Sequence, residues 1–227
     1  KGFSYFTEMS DIINRLEDHV ASARMKTTPV IDFEKNESLK GLDYLDTIYH
    51  AIVNEHPIQL KYRSFKARSA NSFIFYPYLL KEYRNRWFVY GVRGNGRILQ
   101  NLALDRIQSL EVLPQEHYIK NTFFDPNTFF DDLVGVTKNS GSVAEKIGFK
   151  VAAAEAPYII TKPIHRSQQV VERLADGSVI LEIEVVINHE LERVFFGYAE
   201  GIQILYPKTL VELMGRKLKK AAEQYTH

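Results

Sequence analysis

The feature that most restricts the fold is a change of hydrophobic period at Pro57. From Leu42 to Glu55 apolar residues fall at helical spacing, with Leu45, Ile48, Tyr49, Ile52 and Val53 on one stripe. Pro57 then forces extension, because its ring fixes φ and disfavours helix in the preceding residue. From Ile58 the period is two, so that Ile58, Leu60 and Tyr62 alternate with Gln59, Lys61 and Arg63. Further alternating runs follow at Phe73 to Pro77, Arg86 to Val92, Arg97 to Leu104 and Ile107 to Leu113. Gly94-Asn95-Gly96 supplies a tight hairpin turn, since these residue types tolerate positive φ. A leading helix and five short antiparallel strands predict an α+β module, a small SH3-like or Sm-like β-barrel over residues 42–118.

A second pattern follows a turn-rich, aromatic stretch assigned as a connector, residues 119–144. Strand Ile147 to Ala152, helix Ala154 to Ile160, a hairpin around Asp176-Gly177, helix Glu190 to Tyr198 and strand Ile202 to Leu205 succeed one another. That order predicts a ferredoxin-like α+β domain over residues 145–227, extended by a terminal helix, Lys208 to Tyr225. Upstream, Met9, Ile12, Ile13, Leu16, Val20 and Ala23 predict a helix over Phe3 to Arg24, and residues 1–41 read as a helical linker and loop.

Charge sharpens this division. Between Ile58 and Leu113 ten basic residues face three acidic ones, an excess of +7, while the whole chain carries +1 and the remainder therefore −6. A basic module of this kind favours an anionic ligand, because fields act locally and distant charges are screened. There is no cysteine, which excludes disulfides and thiolate chemistry and agrees with a cytoplasmic setting. No run is apolar enough to span a bilayer. The seven histidines show no metal-ligand spacing, and neither a Gly-x-Ser-x-Gly elbow nor a Walker loop is present. Gly91, Gly94 and Gly96 lack the following helix that a dinucleotide fingerprint needs. The sequence therefore predicts no catalytic residues, metal or cofactor.

Several motifs in order carry a family resemblance. Arg86-Trp87-Phe88-Val89-Tyr90-Gly91 resembles the signature strand of WYL domains, with Phe and Val in place of the family's Tyr and Leu. Leu104-Asp105-Arg106-Ile107 resembles its closing motif. Leu60-Lys61-Tyr62-Arg63-Ser64 and Tyr76-Pro77-Tyr78-Leu79-Leu80 resemble its first two strands. Gly148-Phe149-Lys150, Asp176-Gly177-Ser178 and Ile204-Leu205-Tyr206-Pro207 resemble the family's C-terminal extension domain. The resemblance implies a bacterial transcriptional regulator. Its WYL barrel would bind a single-stranded nucleic-acid fragment or nucleotide-like anion, act as a homodimer, and control operator DNA through an N-terminal helix-turn-helix. No such module fits before Leu42, so either it lies outside this sequence or the protein lacks it. One departure is that Gln100 and Ala103 stand where the family often carries arginine.

The candidate ligand residues are Tyr62, Arg63, Ser64, Arg86, Tyr90, Arg93, Arg97, Arg106 and Arg193. Arg106 leads, because a guanidinium offers a planar fork to phosphate oxygens, set against a structural pairing with Asp105. Tyr62, Tyr76 and Tyr90 could stack bases, or simply pack as strand aromatics do. Arg63, Arg84, Arg86, Arg93 and Arg97 could each close on an anion or remain solvated, and Ser64 could bind phosphate or cap a turn. Arg193 enters only through the resemblance, as a residue facing a partner's pocket. Two other readings stay open: a structural or dimerisation module with a degenerate pocket, and a nucleotide-processing enzyme.

Overall fold

The computed structural model describes residues 40–94, 96 and 98–225. The helix expected over Phe3 to Arg24 and candidate Arg97 lie outside the described residues. A short 3-10 turn, Leu42–Tyr44, leads into helix α1, Leu45–Val53. Strands β1 (Ile58–Tyr62), β2 (Asn71–Tyr83), β3 (Arg86–Arg93), β4 (Gln100–Ala103) and β5 (Ile107–Val112) follow. They form one antiparallel sheet in the order β4-β3-β2-β1-β5.

The expected barrel does not close by strand pairing. Strands β4 and β5 are the two edges, and the 3-10 turn Leu104–Arg106 joins them. That turn takes the chain out of strand geometry where a closing ladder would have to start. β4 is accordingly shorter than the run from Arg97 to Leu104 implied, and β2 runs well past Pro77. The register of β2 against β3 shifts between Pro77 and Leu79. Proline has no N–H to give to a ladder, so a bulge is where a buried strand can hold it.

Alternation then sorts the side chains of this sheet into two cores. Ile58, Leu60, Phe75, Val89 and Leu102 pack against Ile48 and Ala51 of α1 on one face. Tyr90, with Tyr78, Leu79, Tyr83 and Phe88 around it, packs on the other face against Phe124, Phe129, Phe130 and Val136. Burial of each large apolar side chain is worth roughly 1.5–3 kcal/mol, so both clusters contribute substantially.

The C-terminal half comprises β6 (Ala144–Val151), α2 (Ala156–Thr161), β7 (Gln169–Arg173), β8 (Val179–Val186), α3 (His189–Phe196), β9 (Ile202–Tyr206) and α4 (Lys208–Ala222). Pro157 sits in the first turn of α2, where its missing N–H costs nothing. The sheet order is β7-β8-β6-β9, all antiparallel. Phe149, Leu181, Ile183 and Val185 turn one face onto Ile159, Leu191, Phe195, Leu210 and Met214 of the helices. The whole protein is thus α+β, built on a five-stranded and a four-stranded antiparallel sheet.

Residues 113–143 join the sheets without a helix or strand of their own, yet they are closely held. The Tyr78 hydroxyl donates to the Ile119 carbonyl at 3.0 Å, and that of Tyr118 donates to the Pro77 carbonyl. The Tyr90 hydroxyl and Asn101 Nδ2 both donate to the Val136 carbonyl. From the other side, Asn188 Nδ2 donates to the carbonyls of Val134 and Thr137 at 3.0 and 2.9 Å. The Val186 N–H donates to the Asp132 carbonyl at 2.8 Å. Long structureless connections in compact proteins are usually functional or disordered. This one is fastened to both sheets.

Candidate functional site

The strongest cluster of candidate residues forms where β1 ends and the Leu104–Arg106 turn begins. β1 changes register against β5 between Lys61 and Tyr62, which now faces Ile107. The Arg63 N–H donates to the Arg106 carbonyl at 3.1 Å, tying the strand end to the turn. The Arg106 guanidinium carbon lies 4.4 Å from the centroid of the Phe65 ring, and that ring is 73% exposed. Tyr62 lies against the same guanidinium. Burial raises the pKa of its hydroxyl above the usual tyrosine value, while the charge and hydrogen bonding of Arg106 and a hydrogen bond from the Ala103 backbone oppose the rise. Tyr62 is therefore a neutral hydroxyl at physiological pH.

Asp105 stands between two arginines. Its Oδ2 is 3.3 Å from Arg86 Nε, and its Oδ1 is 3.8 Å from Arg106 Nε. The second separation exceeds hydrogen-bond reach. Arg106 Nε and Asp105 Oδ1 are both buried atoms with no hydrogen-bond partner. The structural pairing foreseen for Arg106 is thus a charge proximity rather than a formed hydrogen bond, and the Arg106 Nε–H donor is not spent on Asp105.

Tyr62 and Arg93 share the α1-facing side of the sheet. Leu60 stands opposite Phe73, and Phe75 stands opposite Arg93, in continuous register. Arg93 lies over Phe73 at 4.2 Å, a second stacked arginine. The structure therefore gathers Tyr62, Arg63, Arg86 and Arg106, and puts Arg93 on the face of Tyr62. The Ser64 carbonyl accepts the Ala67 N–H at 3.0 Å, so Ser64 opens a turn beside this group.

Two expectations need correction. Tyr90 is 2% exposed, stacked on Phe124 and edge-on to Phe129 and Phe130, so its ring is not an open platform for a base. Its aromatic character serves the junction with the connector. Tyr76 is buried against Tyr118 and is closed in the same way. Arg193 stands on α3, and its charge acts on the Tyr83 hydroxyl at the C-terminal end of β2. Sequence reasoning passed over Phe65 and the bridging of Asp105. The legible signal for Phe65 was a lone aromatic in a polar turn, Ser64-Phe65-Lys66. Among the described residues, no group of His, Asp or Glu is placed to hold a metal ion, and no helix is long and apolar enough to cross a membrane.

Residues 43–112 match the WYL domain and residues 144–222 match the WCX domain, so the chain belongs to the WYL-domain family. Among solved structures it is similar to proteasome accessory factor B/C (PafBC) of Arthrobacter aurescens, at 16% identity over 86% of this chain and 29% of that one, with a TM-score of 0.34. It is also similar to a CRISPR Cas-related protein, at 14% identity over 79% of this chain and 50% of that one, with a TM-score of 0.47. The chain thus spans half or less of the length of these two relatives. No curated protein matches it.

Proposed function

We propose that this chain is the effector-sensing and oligomerisation region of a transcriptional regulator, and that its WYL domain binds a single-stranded nucleic-acid fragment or a nucleotide-like anion. The observation that carries the reading is Arg106. Its guanidinium rests on the Phe65 ring beside the Tyr62 hydroxyl. A planar cation held in this way presents donors to phosphate oxygens, while the neighbouring Phe65 ring offers a face to a base. Arg63, Ser64, Arg86, Arg93 and Arg97 would extend the anion site, and Tyr62 would orient it. The basic excess between Ile58 and Leu113 adds a steering field.

Within this reading the first sheet is an SH3/Sm-like barrel left open between β4 and β5. The second is a ferredoxin-like domain, supported by its strand-helix-strand-strand-helix-strand order. Residues 42–118, 119–144 and 145–227 are then sensor, connector and extension. The protein acts in the cytoplasm as a homodimer, with no catalytic step. Arg193 at the Tyr83 end of β2 would report on the junction between domains or on a partner. Effector binding would shift a helix-turn-helix between two grips on operator DNA, which requires different affinities for the effector in the two states.

The test is fluorescence anisotropy with short labelled single-stranded DNA and RNA over a salt series. Wild type is expected to bind with an affinity that falls steeply as salt rises, because phosphate contacts release counterions. Arg106→Ala should weaken binding by about tenfold or more, in keeping with roughly 1.5–3 kcal/mol for a charge-assisted hydrogen bond. Equal binding by the variant, or no binding by wild type at low salt, would reject the nucleic-acid reading.

A further inference from the structure

A cavity of about 270 Å³ lies between the first sheet and the connector, on the face opposite Tyr62. Its size is just below the roughly 300–1,000 Å³ of small-molecule pockets. Tyr90, Asn101, Phe129 and Val136 line its interior, and Ile98 and Phe123 stand at its mouth. Ile98 is 66% exposed and Phe123 51%, so an apolar rim is left to water around a half-open pocket. Such rims mark binding sites more often than single exposed residues do.

Its polar equipment is sparse and specific. Asn101 gives Nδ2 to the Val136 carbonyl at 2.8 Å, and no bond among the described residues engages its Oδ1. That oxygen is an acceptor on a residue that lines a space walled by the rings of Tyr90, Phe123 and Phe129. Among the described lining residues the charged one is Lys138, and its ammonium is already bonded to both carboxylate oxygens of Asp132 at 2.8 and 2.7 Å. The cavity is therefore balanced in charge, in contrast to the Arg106 cluster. A charged guest would lose its hydration for no matching partner.

We infer that this cavity is a second binding site, taking a small, uncharged, planar ring compound that carries an N–H donor, such as a free nucleobase or an indole. Phe129 and Phe123 would cover the faces of the ring, and Asn101 Oδ1 would accept its N–H. The guest would touch Val136, whose carbonyl holds Tyr90 and Asn101 to the connector. Because the connector is also bonded to Asn188, occupancy here would be felt by the C-terminal sheet without involving the anion site.

The experiment uses the full chain and two probes, indole and N-methylindole, in saturation-transfer NMR at millimolar concentration. Indole should bind wild type, and N-methylindole should bind about tenfold more weakly, the loss expected when an acceptor goes unpaired. Ser140→Trp at the exposed mouth should abolish indole binding, and Ile98→Glu, which charges the rim without touching the core, should weaken it. Arg106→Ala should leave it unchanged, which separates this site from the nucleic-acid reading. Absence of indole binding to wild type overturns the proposal, as does binding that survives both rim substitutions. Equal binding of the two probes overturns the role of Asn101.

Discussion

Gly91 shows how little room a single position can leave. A Cβ built there would lie 2.1 Å from the Tyr76 carbonyl oxygen and 2.7 Å from the Phe75 ring. The β2 bulge brings this backbone close, so space, not φ, requires the glycine. Gly91→Ala should cost about 1–3 kcal/mol through overpacking, read as a lower urea midpoint at unchanged slope. His165 makes a prediction of a different kind. Ser167 gives its backbone N–H to His165 Nδ1 at 3.2 Å, so Nδ1 accepts and the ring is neutral. Burial, and then Arg166, lowers the His165 pKa against the opposing pull of Asp131 and Asp132. As pH falls below about 6.5 the unfolded chain takes up this proton first, so stability is lost across that window until the folded form protonates too. Urea midpoints from pH 7.5 to 5.5 should therefore fall more steeply in wild type than in His165→Asn, and parallel slopes would reject this. At this scale the sequence singled out Arg106 because guanidinium chemistry is legible from residue type, and the structure seats it over the Phe65 ring. It did not show that Tyr90 is buried, because a tyrosine in an alternating strand reads alike whether its ring meets water or a connector some thirty positions downstream.

Among the elements, α3 depends on one residue outside it. Asn188 caps the helix by accepting the Leu191 N–H at 2.8 Å, and its amide also fills two connector carbonyls. Asn188→Ala removes the cap and leaves both carbonyls short of a donor. A loss of about 2 kcal/mol or more is expected from equilibrium unfolding, above the usual cost of about 1 kcal/mol for a cap alone. A loss of only the cap value would mean that the two carbonyls find water. Strand periods and helix spacing made the order of elements readable before any coordinates, from α1 through β9. The ends of elements were less readable. Pro77 looked like a strand terminus, yet the bulge lets β2 continue to Tyr83, and Leu104 looked like strand, yet it begins the 3-10 turn. Both misplacements come from tertiary pairing, which local propensity does not encode.

In the whole molecule the connector has the standing of a third layer. It contributes Phe124, Phe129, Phe130 and Val136 to the outer face of the first sheet, and Val134 to the core of the second half. Calorimetry should therefore show one cooperative transition for the part of the chain described, and two resolved transitions would mean that the halves melt apart. The sequence marks this stretch as an ordered connector with a boundary loop at Asn139-Ser140-Gly141, and the aromatic run Phe123-Phe124 to Phe129-Phe130 is its hint of packing. The shared carbonyl of Val136 has a further meaning for how such a protein can be inherited or divided. A gene segment ending near Leu113 would encode a sheet whose Tyr90 face has lost its cover, a sticky surface of Leu79, Tyr83, Phe88 and Tyr90. Recombination that exchanged sensors between relatives would have to carry the connector along, and a breakpoint beyond Lys138 would preserve the cover where one at Leu113 would not.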